Sequence, residues 1–349
     1  MKSIVKIGIT LLFTLCGIGS HAEDVLDVSY TEMPLREVSR SGTLILSDCP
    51  EYATVYGILA EGTVKKGKGR IYYYHVNETE NPARLVVYAV SDKRKEIKIT
   101  RTLRGTPSQN YIPTGKSLSN KEVIQKRQTV KNISLSNKKR EILFEDNPAG
   151  IAPHDLVSGI VEIETNEPVT CGVAFLPYDE SPQKNISLAL KLPPDSHEMR
   201  GTFPLCVHWE NKVWNVKDGP TMIYLGSPES INPFFLKGRD ELNFINRENT
   251  GNYGVTCCFT IHSKGTGTYD VYLNPMGGSF EGAIEMKQDS LFWTTYITKG
   301  QGKSWFGEDT VEDYMKIGRW KAGKDLNIRF IPPGASSFPV RLLFLPVKK

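Results

Sequence analysis

A chain of 349 residues with 39% hydrophobic and 23% charged residues has ordinary globular composition, neither disordered nor fibrous. Its formal net charge of +4 excludes strong overall charge as a driver of nucleic-acid binding. At roughly 100–200 residues per domain, the length suffices for two domains with separate cores.

The N-terminus reads as an export signal. Lys2 and Lys6 precede a short apolar run over 7–18, and Ser20-His21-Ala22 is a small-x-small cleavage site. The run is too short to span a bilayer, and no later segment replaces it. The expectation is a signal peptide over 1–22 and a protein without a transmembrane segment, exported to the periplasm, the cell envelope or the exterior.

Beyond it, short β-branched or aromatic runs separated by turn residues predict strands at 43–47, 54–60, 70–76, 85–91, 95–102, 156–164 and 169–176. The pattern resumes at 221–225, 241–245, 253–262, 268–273, 291–298, 326–331 and 340–345. Helical signals are few. Ser119-x-x-Glu122 reads as a capping box opening a short helix to about Arg127, and Thr310-x-x-Asp313 offers a similar start. The expected fold class is all-β: two tandem antiparallel β-sandwich domains with one or two short helices.

A shift of 169 positions superimposes Gly57 on Gly226, Lys68-Gly69-Arg70 on Lys237-Gly238-Arg239, Asn77 on Asn246, and Phe175-Leu176-Pro177 on Phe344-Leu345-Pro346. At a larger offset, Tyr111-Ile112 with Gly115-Lys116-Ser117 resembles Tyr296-Ile297 with Gly302-Lys303-Ser304. Several matches in one frame predict an internal duplication. The domains would then run over 23–190 and 191–349, with the boundary near Leu192-Pro193-Pro194-Asp195.

Arg200-Gly201-Thr202-Phe203, Gly251-Asn252-Tyr253-Gly254-Val255, Leu273-Asn274-Pro275-x-Gly277-Gly278 and Pro332-Pro333-Gly334-x-Ser336 carry a resemblance. In this order they resemble motifs of a group of secreted bacterial β-rich proteins without an assigned role. Tyr72-Tyr73-Tyr74-His75-Val76-Asn77 and Gly105-x-Pro107-Ser108 extend it into the first half. Some members of that group are joined to a copper amine oxidase-like N-terminal module, which is missing here. The resemblance implies no copper site and no amine oxidase activity.

Five cysteines follow the signal: Cys49, Cys171, Cys206, Cys257 and Cys258. An exported protein permits disulfides, and an odd count leaves at least one thiol unpaired within the chain. Cys257 and Cys258 point to opposite faces of a strand and do not suit each other. The remaining pairings stay open, beside the plainer reading of small buried apolar residues. Scattered histidines and the lack of a C-x-x-C motif give no metal site and no cofactor.

Gly115-Lys116-Ser117 and Gly302-Lys303-Ser304 look like the tail of a phosphate-binding loop, but Asn110 and Ile297 stand where the first glycine belongs. Residues 92–140 hold 14 Lys and Arg against three acids, a net +11. This basic insertion predicts either a solvated segment or a positive face toward an anionic envelope polymer. Its candidate binding residues are Lys93, Arg94, Lys95, Lys98 and Arg101. Tyr73, Trp209 and Trp214 are candidate aromatic contacts for sugar rings. No coherent catalytic set is evident; neighbouring carboxylates such as Glu312 and Asp313 do not establish a pair across a cleft. The functional expectation is a secreted, non-enzymatic, envelope-associated binding or structural protein. Its partner would be an anionic glycan, lipid or another envelope protein, not nucleic acid. An enzyme acting on envelope polysaccharide, with its site between the two domains, is the alternative.

Overall fold

The computed structural model describes residues 24–126, 128–179, 181–225, 235–289, 292–299, 305–308 and 310–347. The expected export signal lies outside the described residues. In the first half the elements are β1 (Thr31–Glu32), β2 (Leu35–Asp48), β3 (Tyr52–Ala53), β4 (Gly57–Val64), β5 (Gly67–Asn77), β6 (Ala83–Val90) and β7 (Lys95–Arg104). They continue through α1 (Tyr111–Ile124), β8 (Lys131–Leu135), β9 (Glu141–Ile151), β10 (Leu156–Thr165), β11 (Val169–Pro177) and α2 (Pro182–Leu188). The second half holds β12 (Met199–Asn211), β13 (Trp214–Asn215), β14 (Thr221–Leu225), β15 (Leu236–Asp240), β16 (Ile245–Asn249), β17 (Thr256–Ile261) and β18 (Ser263–Lys264). It ends with β19 (Gly267–Asn274), β20 (Ala283–Lys287), β21 (Thr294–Ile297), β22 (Met315–Ala322), β23 (Leu326–Phe330) and β24 (Val340–Pro346).

One long sheet runs through both halves in the order β21-β20-β23-β17-β12-β2-β5-β10-β7-β8. Its centre is the β2–β12 ribbon, antiparallel from Met199↔Asp48 to Asn211↔Leu35. A four-stranded sheet, β4-β11-β6-β9, covers the first half. Ile45, Ile71, Val87, Val161 and Phe175 meet in the core between them. A five-stranded sheet, β1-β14-β24-β19-β22, covers the second half and closes a larger core around Val207, Phe259, Ile328, Val271 and Phe344. The fold is therefore all-β with two short α-helices, built as two β-sandwiches that share a sheet.

Strand order is the same in both halves. From the ribbon outward, β2-β5-β10-β7-β8 and β12-β17-β23-β20-β21 match place for place, as do β4-β11-β6-β9 and β14-β24-β19-β22. The first pair of each long series is parallel. All other pairs in these series are antiparallel. Phe175-Leu176-Pro177 and Phe344-Leu345-Pro346 lie on corresponding strands, β11 and β24. Other matches of the repeat do not correspond. Lys68-Gly69-Arg70 opens β5, whereas Lys237-Gly238-Arg239 lies in β15, part of a hairpin with β16 that the first half lacks. Asn246 lies in that hairpin too, Tyr111 and Tyr296 fall on α1 and β21, and Gly226 is outside the described residues.

Residues 92–140 are not an insertion but β7, α1 and β8, with Ile97, Ile99, Leu103, Leu118 and Leu135 buried. Thr310 and Asp313 open no helix. The Thr310 hydroxyl accepts from the Glu312 N–H in a local turn, and the Asp313 carboxylate accepts from the Gly307 N–H. The predicted strand at 241–245 is instead the turn between β15 and β16 over 241–244, with Ile245 opening β16.

Candidate binding cleft

Helix α1 starts at Tyr111, a full two turns before the predicted Ser119, and Asn110 offers it no side-chain cap. Tertiary packing holds it instead. It lies on β7 and β10 of the first sandwich and on β20 of the second. A Cβ on Gly115 would stand 1.9 Å from the Gly334 carbonyl oxygen, so the helix reaches its neighbour only with glycine there. Lys116 pairs with Glu281, and Lys126, two residues past the helix, pairs with Glu285. Both carboxylates are about 1% exposed. The Ser119 hydroxyl accepts from the Ala283 N–H at 3.1 Å. Gly115, Lys116 and Ser119 thus dock one sandwich on the other, while the Ser117 hydroxyl stays with Thr106 of its own sandwich at 3.2 Å.

Beside this helix a cleft of about 760 Å³ is lined from both sandwiches. On its first wall, Arg70 of β5 and Arg101 of β7 flank Glu162 of β10 as register partners. Arg70 donates to the Glu162 Oε1 through Nε at 3.1 Å and Nη2 at 2.5 Å. Arg101 donates to the same carboxylate through Nε and Nη2, both at 2.9 Å, and from Nη2 to Glu122 at 2.9 Å. Burial pushes Glu162 upward, but the two guanidinium groups outweigh it and hold the carboxyl at about 2. On the second wall, Arg329 of β23 faces its register partner Glu285 of β20, with Nη2 2.6 Å from Oε2. The Trp293 ring lies 4.4 Å from that guanidinium and fixes its plane.

Cys206 of β12 lines the same cleft, with its sulfur 3.8 Å from that of Cys258 on the neighbouring parallel strand β17. The hydrogen bond from Cys258 lowers the Cys206 thiol to about 7 against the opposing effect of burial, and Ser41, Arg70 and Arg329 add to it. The same contact, with burial, pushes the Cys258 thiol up. Cys49, Cys171 and Cys257 are buried, and burial raises each of their thiols.

Six basic side chains line the cleft against four acids. Arg70, Arg101, Lys126 and Arg329 are paired with Glu162, Glu122 and Glu285, while Lys66 and Lys68 stand exposed at the β4–β5 turn. Among the described residues, no aromatic side chain lines it.

Of the predicted contacts, Arg101 alone reaches this cleft. Lys93 and Lys95 line a separate groove of about 730 Å³, where Glu167 lies 3.0 Å and 3.6 Å from their ammonium groups. Arg94 and Lys98 are exposed outside both. Tyr73 points opposite to Tyr72 and Tyr74, as the strand period requires, but both faces of β5 are covered. Its hydroxyl donates to Asp146 at 2.7 Å inside the first core. Trp209 stacks on Phe259 at 5.1 Å, and Trp214 packs against Tyr269 and Trp320 at 5.0 and 5.5 Å, all in the second core. None of these three rings presents a face to a ligand. The residues missed from the sequence are Lys66, Lys68, Arg70, Glu162, Cys206, Glu285 and Arg329. The basic and glycine run Lys65-Lys66-Gly67-Lys68-Gly69-Arg70 signals the first of them. Nothing local signals that Glu285 receives Lys126.

Among the described residues no helix is long and apolar enough to cross a membrane, and no group of three or more His, Cys, Asp or Glu is arranged to hold a metal ion. The chain matches no protein family and no curated protein. Among solved structures it is similar to the CUB1-EGF-CUB2 domains of rat MASP-1, with 8% identity over 86% of this chain and 99% of that one and a TM-score of 0.20. It is also similar to the multicopper oxidase Fet3p, with 9% identity over 76% and 51% of the two chains and a TM-score of 0.12. Vicilin from Solanum lycopersicum (tomato) shares 8% identity over 86% and 84%, with a TM-score of 0.13.

Proposed function

We propose that this is an exported, non-enzymatic binding protein of the cell envelope that takes a segment of an anionic glycan into the cleft between its two sandwiches. The observation that carries the reading is the unequal charge of the cleft, six basic side chains against four acids, with Lys66 and Lys68 left exposed at the rim. Glu162, Glu122 and Glu285 are already compensated by Arg70, Arg101, Lys126 and Arg329. Glu164, the register partner of Lys68, offsets part of the rim charge, so the positive excess left to meet an incoming anion lies at the rim lysines. A neutral sugar suits the cleft less well, because among the described residues no flat ring lines it for a sugar face to stack on. The export signal of the sequence supports the compartment. The shared strand order of the halves supports their origin from one duplicated unit, and the ordered glycine motifs support membership of the secreted β-rich group.

An enzyme of envelope polysaccharide in the same cleft is the second reading, favoured by the position of the cleft between the sandwiches. Glu162 and Glu285 are both held in ion pairs, and at Glu162 the two guanidinium groups stabilise the carboxylate rather than a proton donor.

Binding of the full mature chain to polygalacturonate and to dextran, followed by titration calorimetry at two ionic strengths, tests the proposal. Expected is binding to the uronate polymer alone, weakened by salt and by about tenfold or more in the Lys66→Glu/Lys68→Glu variant. Equal binding to dextran, or uronate binding indifferent to salt and to the variant, overturns it. Hydrolysis of either polymer would establish the second reading.

A further inference from the structure

Cys206 and Cys258 stand apart from the other cysteines by place as well as by partner. β12 and β17 run parallel with Cys206↔Thr256 and His208↔Cys258 in register, which sets the two thiols diagonally on one face. That face is half exposed, since Cys206, His208, Thr256 and Cys258 alternate with the buried Val207 and Cys257. The two sulfurs are in van der Waals contact at 3.8 Å, so closing to a bond of about 2.05 Å needs a local approach of the two residues and no new strand pairing. Cys257 cannot compete, because it points into the core on the other face. We propose that Cys206 and Cys258 are a redox-active thiol pair in the cleft, cycling between dithiol and disulfide by exchange with an external disulfide.

The order of events follows from access. Cys206 lines the cleft and attacks first. Its thiolate displaces one sulfur of the incoming disulfide, whose S–S bond breaks as a mixed disulfide forms on Cys206. The departing half leaves as a thiolate and takes up a proton. Cys258 then gives its proton to solvent and attacks the Cys206 sulfur; the intramolecular S–S bond forms and the second thiolate leaves. Two electrons pass from the cysteine pair to the external disulfide, which is reduced to two thiols.

The surroundings suit this division of roles. Arg70 hydrogen-bonds the hydroxyl of Thr256, the register partner of Cys206, at 3.1 Å, and Arg329 is the register partner of Cys258. Both cations favour a thiolate, although Glu162 and Glu285 share their charge. Ser41 faces Cys206 across the ribbon from β2. His208 flanks Cys258 but is turned to the Thr260 hydroxyl at 2.8 Å. None of this depends on an anionic glycan occupying the cleft, and the exchange stands or falls apart from Lys66 and Lys68.

The test uses the reduced full mature chain with oxidised glutathione as probe, quenched by alkylation and mapped by peptide mass. Expected is joint loss of the Cys206 and Cys258 thiols and one linked peptide pair. In Cys258→Ser glutathione should be retained on Cys206. In Cys206→Ser the adduct at Cys258 should form at least tenfold more slowly. In the unmodified chain, alkylation of Cys206 should rise with a midpoint near pH 7, and in Cys258→Ala the midpoint should move upward toward an ordinary thiol. A peptide with one internal cystine gives the second arm: faster exchange with it assigns the pair to polypeptide disulfides, faster exchange with glutathione to small ones. Failure of both probes to link the two cysteines, or a stable glutathione adduct on the unmodified chain, overturns the proposal.

Discussion

The Nε of Arg200 lies 2.9 Å from the Asp240 Oδ2, and neither side chain has contact with solvent. Arg200 stands near the start of β12 and donates from Nη1 to the carbonyls of Leu59 in β4 and Leu192 at 2.9 and 3.0 Å. One guanidinium therefore ties the first sandwich and the interdomain segment to β15. This explains the Arg200-Gly201-Thr202-Phe203 motif, whose glycine would bring any Cβ within 2.7 Å of the Arg239 carbonyl oxygen.

Removing one partner of that pair leaves the other charge buried alone. Arg200→Ala is expected to cost about 3–5 kcal/mol in urea unfolding. The double variant Arg200→Met/Asp240→Leu should recover much of the loss, because no buried charge is then uncompensated. Equal losses in the single and double variants would show that the carbonyl contacts, rather than the charge, carry the effect.

Glu162 links stability to acid. Its carboxyl is held at about 2 in the folded protein against an ordinary value of 4.5, so the unfolded chain binds its proton first as pH falls. The stabilisation is whole above about pH 4.5, shrinks between 4.5 and 2, and amounts to roughly 3 kcal/mol. Unfolding free energies from pH 7 to pH 2 should show this slope, and Glu162→Gln should flatten it.

Asp146 works in the other sense. Burial raises it to about 6, opposed only in part by the Tyr73 hydroxyl that donates to it. Protonation therefore favours the folded state: the contribution is whole below about pH 4 and is lost as pH rises through 6. Asp146→Asn keeps an acceptor for Tyr73 and should raise stability at pH 8 relative to pH 4 by on the order of 2 kcal/mol. Loss of stability at both pH values would mean that the carboxylate is needed for its shape.

Gly115→Ala should dislodge α1, since the Gly334 backbone cannot yield as a flexible side chain would. A loss of about 2 kcal/mol or more is expected, with faster hydrogen exchange over residues 111–124. Unchanged exchange in that segment would place the helix differently.

Strands whose two faces differ were legible in part. The strand at 221–225 was predicted at its observed bounds, because one face meets a core and the other does not, whereas β12, which alternates along 201–211, was not predicted. β5 was legible as a strand but not as a buried one: its tyrosines alternate correctly, yet the covering layers come from α1 and from β4-β11-β6-β9. Helix α1 was placed late because the local signal at Ser119 is a tertiary contact, its hydroxyl receiving the Ala283 N–H from 164 residues away.

By itself the sequence determined the β-rich class and the two-part organisation, both of which follow from composition, period and spacing. Its +11 window is only partly uncompensated in space. Lys116, Lys126 and Arg101 reach Glu281, Glu285 and Glu162, acids that lie far from them in sequence. Only the tertiary structure could decide where charge remains uncompensated, because Coulomb interactions follow distance and burial rather than chain order. The same holds for sulfur. Cys206 and Cys258 are 52 residues apart, and the parallel pairing of β12 with β17 alone makes them neighbours.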